Sequence, residues 1–171
     1  LKKVVFLAGV FLLAAVAAPA FGDPHSPRGG EGGPIACNDG EVTWSPTNLW
    51  PPNHKLNTID IYYTDDDGDG DMTTVEVTGF DSSDGVGDDE INGSGNTDPD
   101  VVPGAPGTAT DPEAAHTTAD VRAERSGHSK DGRTYTLDVQ CTDSGGSDME
   151  MESETVPITV TVPHDQGNHG N

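Results

Sequence analysis

The densest chemistry in the chain lies at residues 65–71, where Asp65, Asp67, Asp69 and Asp71 are interleaved with Asp66, Gly68 and Gly70. Extended to Glu76, the stretch matches D-x-[DN]-x-[DN]-G-x5-E, with Asp65, Asp67 and Asp69 leading, Gly70 at the bend and Glu76 closing. Calcium suits such a loop because it accepts about six to eight hard oxygen ligands in flexible geometry. Magnesium demands a stiffer octahedron than a loose carboxylate loop provides. The flanking residues 59–63 and 75–78 read as strands rather than helices, so the loop does not belong to an EF-hand. Glu76 alternates with Val75 and Val77, which gives it a second reading as an outward strand residue. The loop also has a metal-free reading as a solvated acidic hairpin, since Asp and Gly favour turns in any case.

A second group, Asp88, Asp89 and Glu90 with Asp98 and Asp100, offers another possible metal site. Residues 65–100 carry 13 carboxylates and no Lys or Arg, so these acids must be solvated, coordinate a cation or find a base from elsewhere. Arg122 and Arg125 are the expected bases. Asp143 and Asp148 follow Cys141. If the chain folds as a two-sheet sandwich, the loops after residues 56–63 and 134–141 meet at one end. Asp143 could then complete the Asp65–Asp71 site.

His54 and His164 invite a metal or catalytic reading, and the same topology would bring them together at the opposite end. Zinc would need further ligands, and nucleophilic catalysis a partnered Ser or Cys. Ser26, Ser126 and Ser129 sit in no such setting, so both histidines are expected to bond loop backbone. Paired carboxylates for glycoside hydrolysis need a cleft with aromatic and apolar walls. Two Trp, three Tyr and four Phe, some of them in the leader, leave little to build one. No enzyme is expected.

The elements that must position these groups are β-strands. Residues 41–44, 56–63, 73–78, 119–123, 134–141 and 156–162 alternate or are β-rich, and no segment has a helical period. Leu56, Thr58, Asp60 and Tyr62 fall on one face, opposite Asn57, Ile59, Ile61 and Tyr63. Val75 pairs in phase with Val77, Tyr135 with Leu137, Val139 and Cys141, and Ile158 with Val160 and Val162. Pro46, Pro51-Pro52 and Gly-rich turns punctuate the strands as a β-sandwich requires. Residues 80–118, rich in Asp, Gly, Ser, Thr and Pro, carry either one poorly marked strand or a long ion-ordered excursion.

The chain of 171 residues has room for one domain, and its formal charge is −22. Such a charge repels nucleic acid and anionic membranes. Lys2-Lys3, the apolar run to Ala18 and small residues before Ala20 or Gly22 read as a signal peptide over residues 1–22. Its removal would take the charge to −24. The run is short and no basic stop-transfer cluster follows, so no transmembrane anchor is expected in the mature chain. Residues 23–36 read as a Gly/Pro-rich lead-in, 37–163 as the domain and 164–171 as a mobile tail. Export makes a disulfide the expected fate of Cys37 and Cys141, the two cysteines of the chain.

Several segments together resemble secreted bacterial immunoglobulin-like modules of hyalin-repeat and cadherin-like style. They are Trp50-Pro51-Pro52-Asn53-His54-Lys55, Val121-Arg122-Ala123-Glu124-Arg125, Asp131-Gly132-Arg133-Thr134-Tyr135 and Val162-Pro163-His164-Asp165-Gln166, with Asp89-Glu90-Ile91-Asn92-Gly93 between them. Cys141-Thr142-Asp143-Ser144 is similar to the strand-end turn of cadherin-like modules. The resemblance spans residues 37–166 and implies an immunoglobulin-like β-sandwich that serves as an accessory or surface module. Residues 103–116 and Met149-Glu150-Met151-Glu152 depart from it.

The expectation is thus an all-β, immunoglobulin-like sandwich with long acidic loops and one disulfide. It would be secreted, whether extracellular, periplasmic or surface-associated, with calcium as its cofactor. Calcium would order the loops for adhesion or interaction with an extracellular protein or surface glycan. The alternatives are an acidic envelope or structural protein whose stability follows total salt, and a secreted hydrolase.

Overall fold

A computed structural model describes residues 29–65, 67, 70–84, 97–127, 130–144 and 151–164. The leader and the residues after 164 lie outside the described part, as do Asp66, Asp69, Asp88, Asp89 and Glu90. The described residues form strands and turns and no helix, so none of their helices could cross a membrane.

The strands are β1 (Gly32–Cys37), β2 (Gly40–Ser45), β3 (Leu56–Thr64), β4 (Met72–Ser82), β5 (Val101–Pro103), β6 (Gly107–Thr110), β7 (Ala115–Arg122), β8 (Arg133–Asp143) and β9 (Glu152–Val162). They build two antiparallel sheets, ordered β1-β2-β3-β7-β5 and β6-β4-β8-β9. Alternation decides which face each strand buries. Ile59, Ile61 and Tyr63 of β3 are fully buried, as are Tyr135, Leu137, Val139 and Cys141 of β8 and Ile158, Val160 and Val162 of β9. These side chains join Val42, Trp44, Val75 and Val121 in one core shared by both sheets.

The links that pin the sheets together include a disulfide and an indole hydrogen bond. Cys37 at the end of β1 is bonded to Cys141 of β8, with Cα atoms 6.2 Å apart. The Trp44 indole N–H of β2 donates to the Thr159 carbonyl of β9 at 2.9 Å. The chain changes sheets between β5 and β6. Gly107 makes this possible, because a Cβ there would run into the His116 backbone carbonyl. A parallel bridge between Asn48 and Thr161 brings the β2–β3 connection beside β9.

The lead-in read over residues 23–36 contributes Gly32–Ala36 to β1, paired with β2 across a register shift. Residues 80–118 hold the end of β4, β5, β6 and the start of β7, more strand than the one allowed for. Their Asp, Gly and Thr conceal the alternation that a packed strand normally displays.

Candidate functional site

The register gathers a set of strand ends at one end of the molecule. Glu41 pairs with Thr64, Tyr63 with Ala115, Met72 with Thr110, Thr73 with Asp143, and Asp143 with Glu152. This end therefore holds Asp39 of the β1–β2 turn, Asp65, Asp67 and Asp71 between β3 and β4, Asp111 after β6, and Asp143 closing β8. The opposite end is defined by Lys55 before β3, Arg122 closing β7 and Arg133 opening β8. All five described Lys and Arg residues, Lys55, Arg122, Arg125, Lys130 and Arg133, belong to it. The first end is acidic and, among the described residues, has no Lys or Arg.

Three of its carboxylates are buried: Asp65 is 2% exposed, Asp111 8% and Asp143 8%. Asp65 accepts the Tyr63 hydroxyl at 3.1 Å on Oδ2 and the Asp67 backbone N–H at 3.3 Å on Oδ1. The fully buried Tyr63 phenol has its pKa pushed well above the ordinary tyrosine value. Burial is the largest cause, followed by the charge and hydrogen bond of Asp65 and then the charges of Asp143 and Asp39. Asp65, Asp143 and Asp39 thus all act on one phenol between the sheets. The Asp111 N–H donates to the Asp71 carbonyl at 2.9 Å, tying the β6–β7 turn to the β3–β4 connection. Thr73 is 1% exposed, and its Oγ1 has no hydrogen-bond partner among the described residues.

The expected meeting of the β3–β4 loop with Asp143 is therefore present. Glu76 is not brought there. It is half-buried on β4, opposite in phase to Thr73, Val75 and Val77, and pairs in register with Gln140 on the outer side of the sheet. Asp67 is exposed and Asp71 half-buried; Asp69 lies outside the described residues. Among the described residues no three His, Cys, Asp or Glu side chains already converge as a metal cage. Asp111 was not foreseen, because its strand β6 carries no legible pattern.

The second acidic group fares differently. Asp98 is exposed, while Asp100 is 3% exposed and its Oδ2 lies 2.7 Å from Nη2 of fully buried Arg133. Arg133, not Arg122 or Arg125, is the base that reaches it. The Arg133 guanidinium also donates from Nε to Ser82 Oγ at 3.0 Å and lies 4.6 Å over the Tyr135 ring. Arg122 directs its guanidinium to the carbonyls of Pro99 and His54, and Arg125 donates to the Ser126 carbonyl. Asp84 accepts the Ser126 N–H at 3.2 Å.

His54 departs from its expected bond to loop backbone. Its Nδ1 lies 3.1 Å from Oε2 of Glu124, a carboxylate with no solvent exposure. His164 is half-buried on the far side of Gly132, where a Cβ would lie 2.9 Å from the His164 nitrogen. Comparison with protein-family models, curated proteins and solved structures gives no match.

Proposed function

We propose that the chain is a secreted immunoglobulin-like β-sandwich that binds calcium at its acidic end and serves in extracellular adhesion or protein interaction. One observation carries this reading: Asp65, Asp111 and Asp143 are buried at an end with no described Lys or Arg. Burying a carboxylate is costly unless a counter-charge or a full set of hydrogen bonds offsets it. The hydroxyl of Tyr63 and the N–H of Asp67 are neutral donors and leave the negative charge in place. A divalent cation removes that charge, and the Thr73 hydroxyl beside Asp143 adds an uncharged oxygen of the kind calcium accepts. Asp65, Asp71, Asp111 and Asp143 are the ligands proposed from the described residues, with Asp67 at the rim. Glu76 is left out. Calcium bound there would tie the β3–β4 connection to the β6–β7 turn and the end of β8, giving a partner a rigid surface.

The test is thermal unfolding at fixed ionic strength in calcium, magnesium and chelator. Calcium at a hundred times its dissociation constant should add about 2.7 kcal/mol. For a chain of this size that raises Tm by about 5–10 °C. Asp143→Asn should remove most of the rise. Identical melting in calcium and chelator would refute calcium binding. Melting that follows ionic strength alone, whichever cation supplies it, would leave an acidic structural protein without a specific site.

A further inference from the structure

The outer face of the five-stranded sheet carries a hollow of about 290 Å³, lined chiefly by Glu31, Gly32, Pro34, Thr43, Trp44 and Tyr62. Its origin is local. Gly32 of the edge strand β1 lies opposite Trp44 in register, and a Cβ on Gly32 would run into the Trp44 ring. Glycine therefore lets β1 cross against the indole, which brings Glu31 and Pro34 beside Thr43 and Tyr62.

Tyr62 forms one wall and is held in place. On the β7 side its ring stacks on His116, with centroids 4.5 Å apart and planes inclined by 22°. His116 is itself fixed by Asp60, whose Oδ1 lies 3.0 Å from Nε2. On the β2 side the register partner of Tyr62 is Thr43, which also lines the hollow. The ring thus presents the face turned from His116 to the cavity. Tyr62 is 42% exposed, so this face is open to a ligand.

Among the described residues the carboxylates around it have no Lys or Arg beside them. Glu31 lines the hollow, and Glu41, Asp60 and Asp120 lie on the same outer face by strand alternation. The described Lys and Arg lie at the basic end of the sheets. An aromatic face attracts a cation through its quadrupole, and a nearby carboxylate adds to that attraction. We infer that this hollow binds an organic cation, the guanidinium or ammonium group of an Arg or Lys side chain presented by a basic partner protein. The cation sits against Tyr62, with Glu31 as its counter-charge and the Thr43 hydroxyl within the same wall. The inference extends the proposed interaction role by naming the partner's chemistry, and it does not require calcium.

The test follows the amides of Gly32 and Thr43 and the Trp44 indole N–H by heteronuclear NMR of the purified protein in chelator. The probes are N-acetyl-arginine amide, choline, its uncharged isostere 3,3-dimethylbutanol, and N-acetylglucosamine. Both cations should produce saturable shifts with dissociation constants on the order of tens of millimolar, as expected for one cation–π contact assisted by one carboxylate. Tyr62→Leu should weaken binding about tenfold and Glu31→Gln about threefold, with melting unchanged in each. Four results would overturn the inference: no shifts with either cation; equal affinity for dimethylbutanol and choline; sugar binding without cation binding; or Tyr62→Leu within twofold of wild type. Because chelator is present throughout, failure here leaves the calcium reading intact, and failure of calcium binding leaves this result interpretable.

Discussion

Neutralising one carboxylate should have unequal consequences at the two ends of the molecule. At the basic end, Asp100 and Arg133 are 3% and 0% exposed, and their 2.7 Å contact forms a buried ion pair. Asp100→Asn preserves shape but removes the negative charge that lies 2.7 Å from the Arg133 guanidinium. Arg133 cannot swing into water to relieve this, because it is anchored to Ser82 and lies over Tyr135. Breaking such a pair costs about 3–5 kcal/mol. In a chain of 171 residues that corresponds to a fall in Tm of roughly 6–20 °C.

Asp65 is equally buried, but its described partners are the neutral hydroxyl of Tyr63 and the N–H of Asp67. In chelator, Asp65→Asn removes a buried negative charge from beside the Tyr63 phenol, on which the charges of Asp143 and Asp39 also act, and its amide oxygen still accepts one of the two bonds. The loss of one hydrogen bond, about 1 kcal/mol, is then offset by relief of repulsion of similar size. Stability should stay within about 1 kcal/mol of wild type, the range of a mild substitution. In calcium the same variant should fall behind wild type, because wild type alone gains from a full ligand set. Urea denaturation of both variants, with and without chelator, reads all four cases from midpoint and slope. The charge argument is refuted if Asp100→Asn costs under 1 kcal/mol, or if Asp65→Asn in chelator costs as much as Asp100→Asn.

Two further outcomes are expected. Replacing both Cys37 and Cys141 with Ala opens a loop of sequence separation 104 and should cost about 4–5 kcal/mol in the chain-entropy model; a loss under 1 kcal/mol in urea denaturation would contradict it. The Tyr63 pKa is raised in the fold, so its contribution to stability is complete below the ordinary value of 10.0 and is lost as pH climbs beyond it. Tyr63→Phe should accordingly lose less stability than wild type between neutral pH and strongly alkaline pH, and equal losses would show that burial does not hold the phenol protonated.

The strands that build the core were legible because their alternation is unbroken. Leu56–Tyr63, Thr134–Cys141 and Val156–Val162 lie within β3, β8 and β9, and their apolar faces are the buried ones. The same alternation, extended one step back from Tyr135, places Arg133 on the inward face of β8, and this was the available signal for its burial. Arg122 and Arg125 drew attention by their closeness in sequence, but pairing depends on which strand ends meet in space. β1, β5 and β6 were illegible for a physical reason. Their Gly, Pro and Thr side chains bury little, so backbone pairing rather than apolar patterning places them. Asp111 was lost with β6, and burial of Glu124 follows from the turn after β7, where no periodicity operates.

An acidic chain can carry its charge for solubility alone, but solubility is served by solvated carboxylates. Asp65, Asp84, Asp100, Asp111, Glu124 and Asp143 are buried. Near the basic end, two buried acids have a base beside them, Arg133 for Asp100 and the His54 ring for Glu124, while Asp84 accepts the neutral Ser126 N–H. Among the described residues the acidic end has no Lys or Arg, and the donors described for Asp65 are uncharged. The same strand polarity that sends every described Lys and Arg to one end therefore leaves a residual negative field at the other. That field does not average away along the molecule, since Coulomb attraction between buried groups is screened far less than between solvated ones. On the proposed reading, a cation drawn to it would bridge three separate chain connections, those following β3, β6 and β8. Binding and ordering are then a single event, and the acidity acts through where the strands end rather than through how many acids the chain contains.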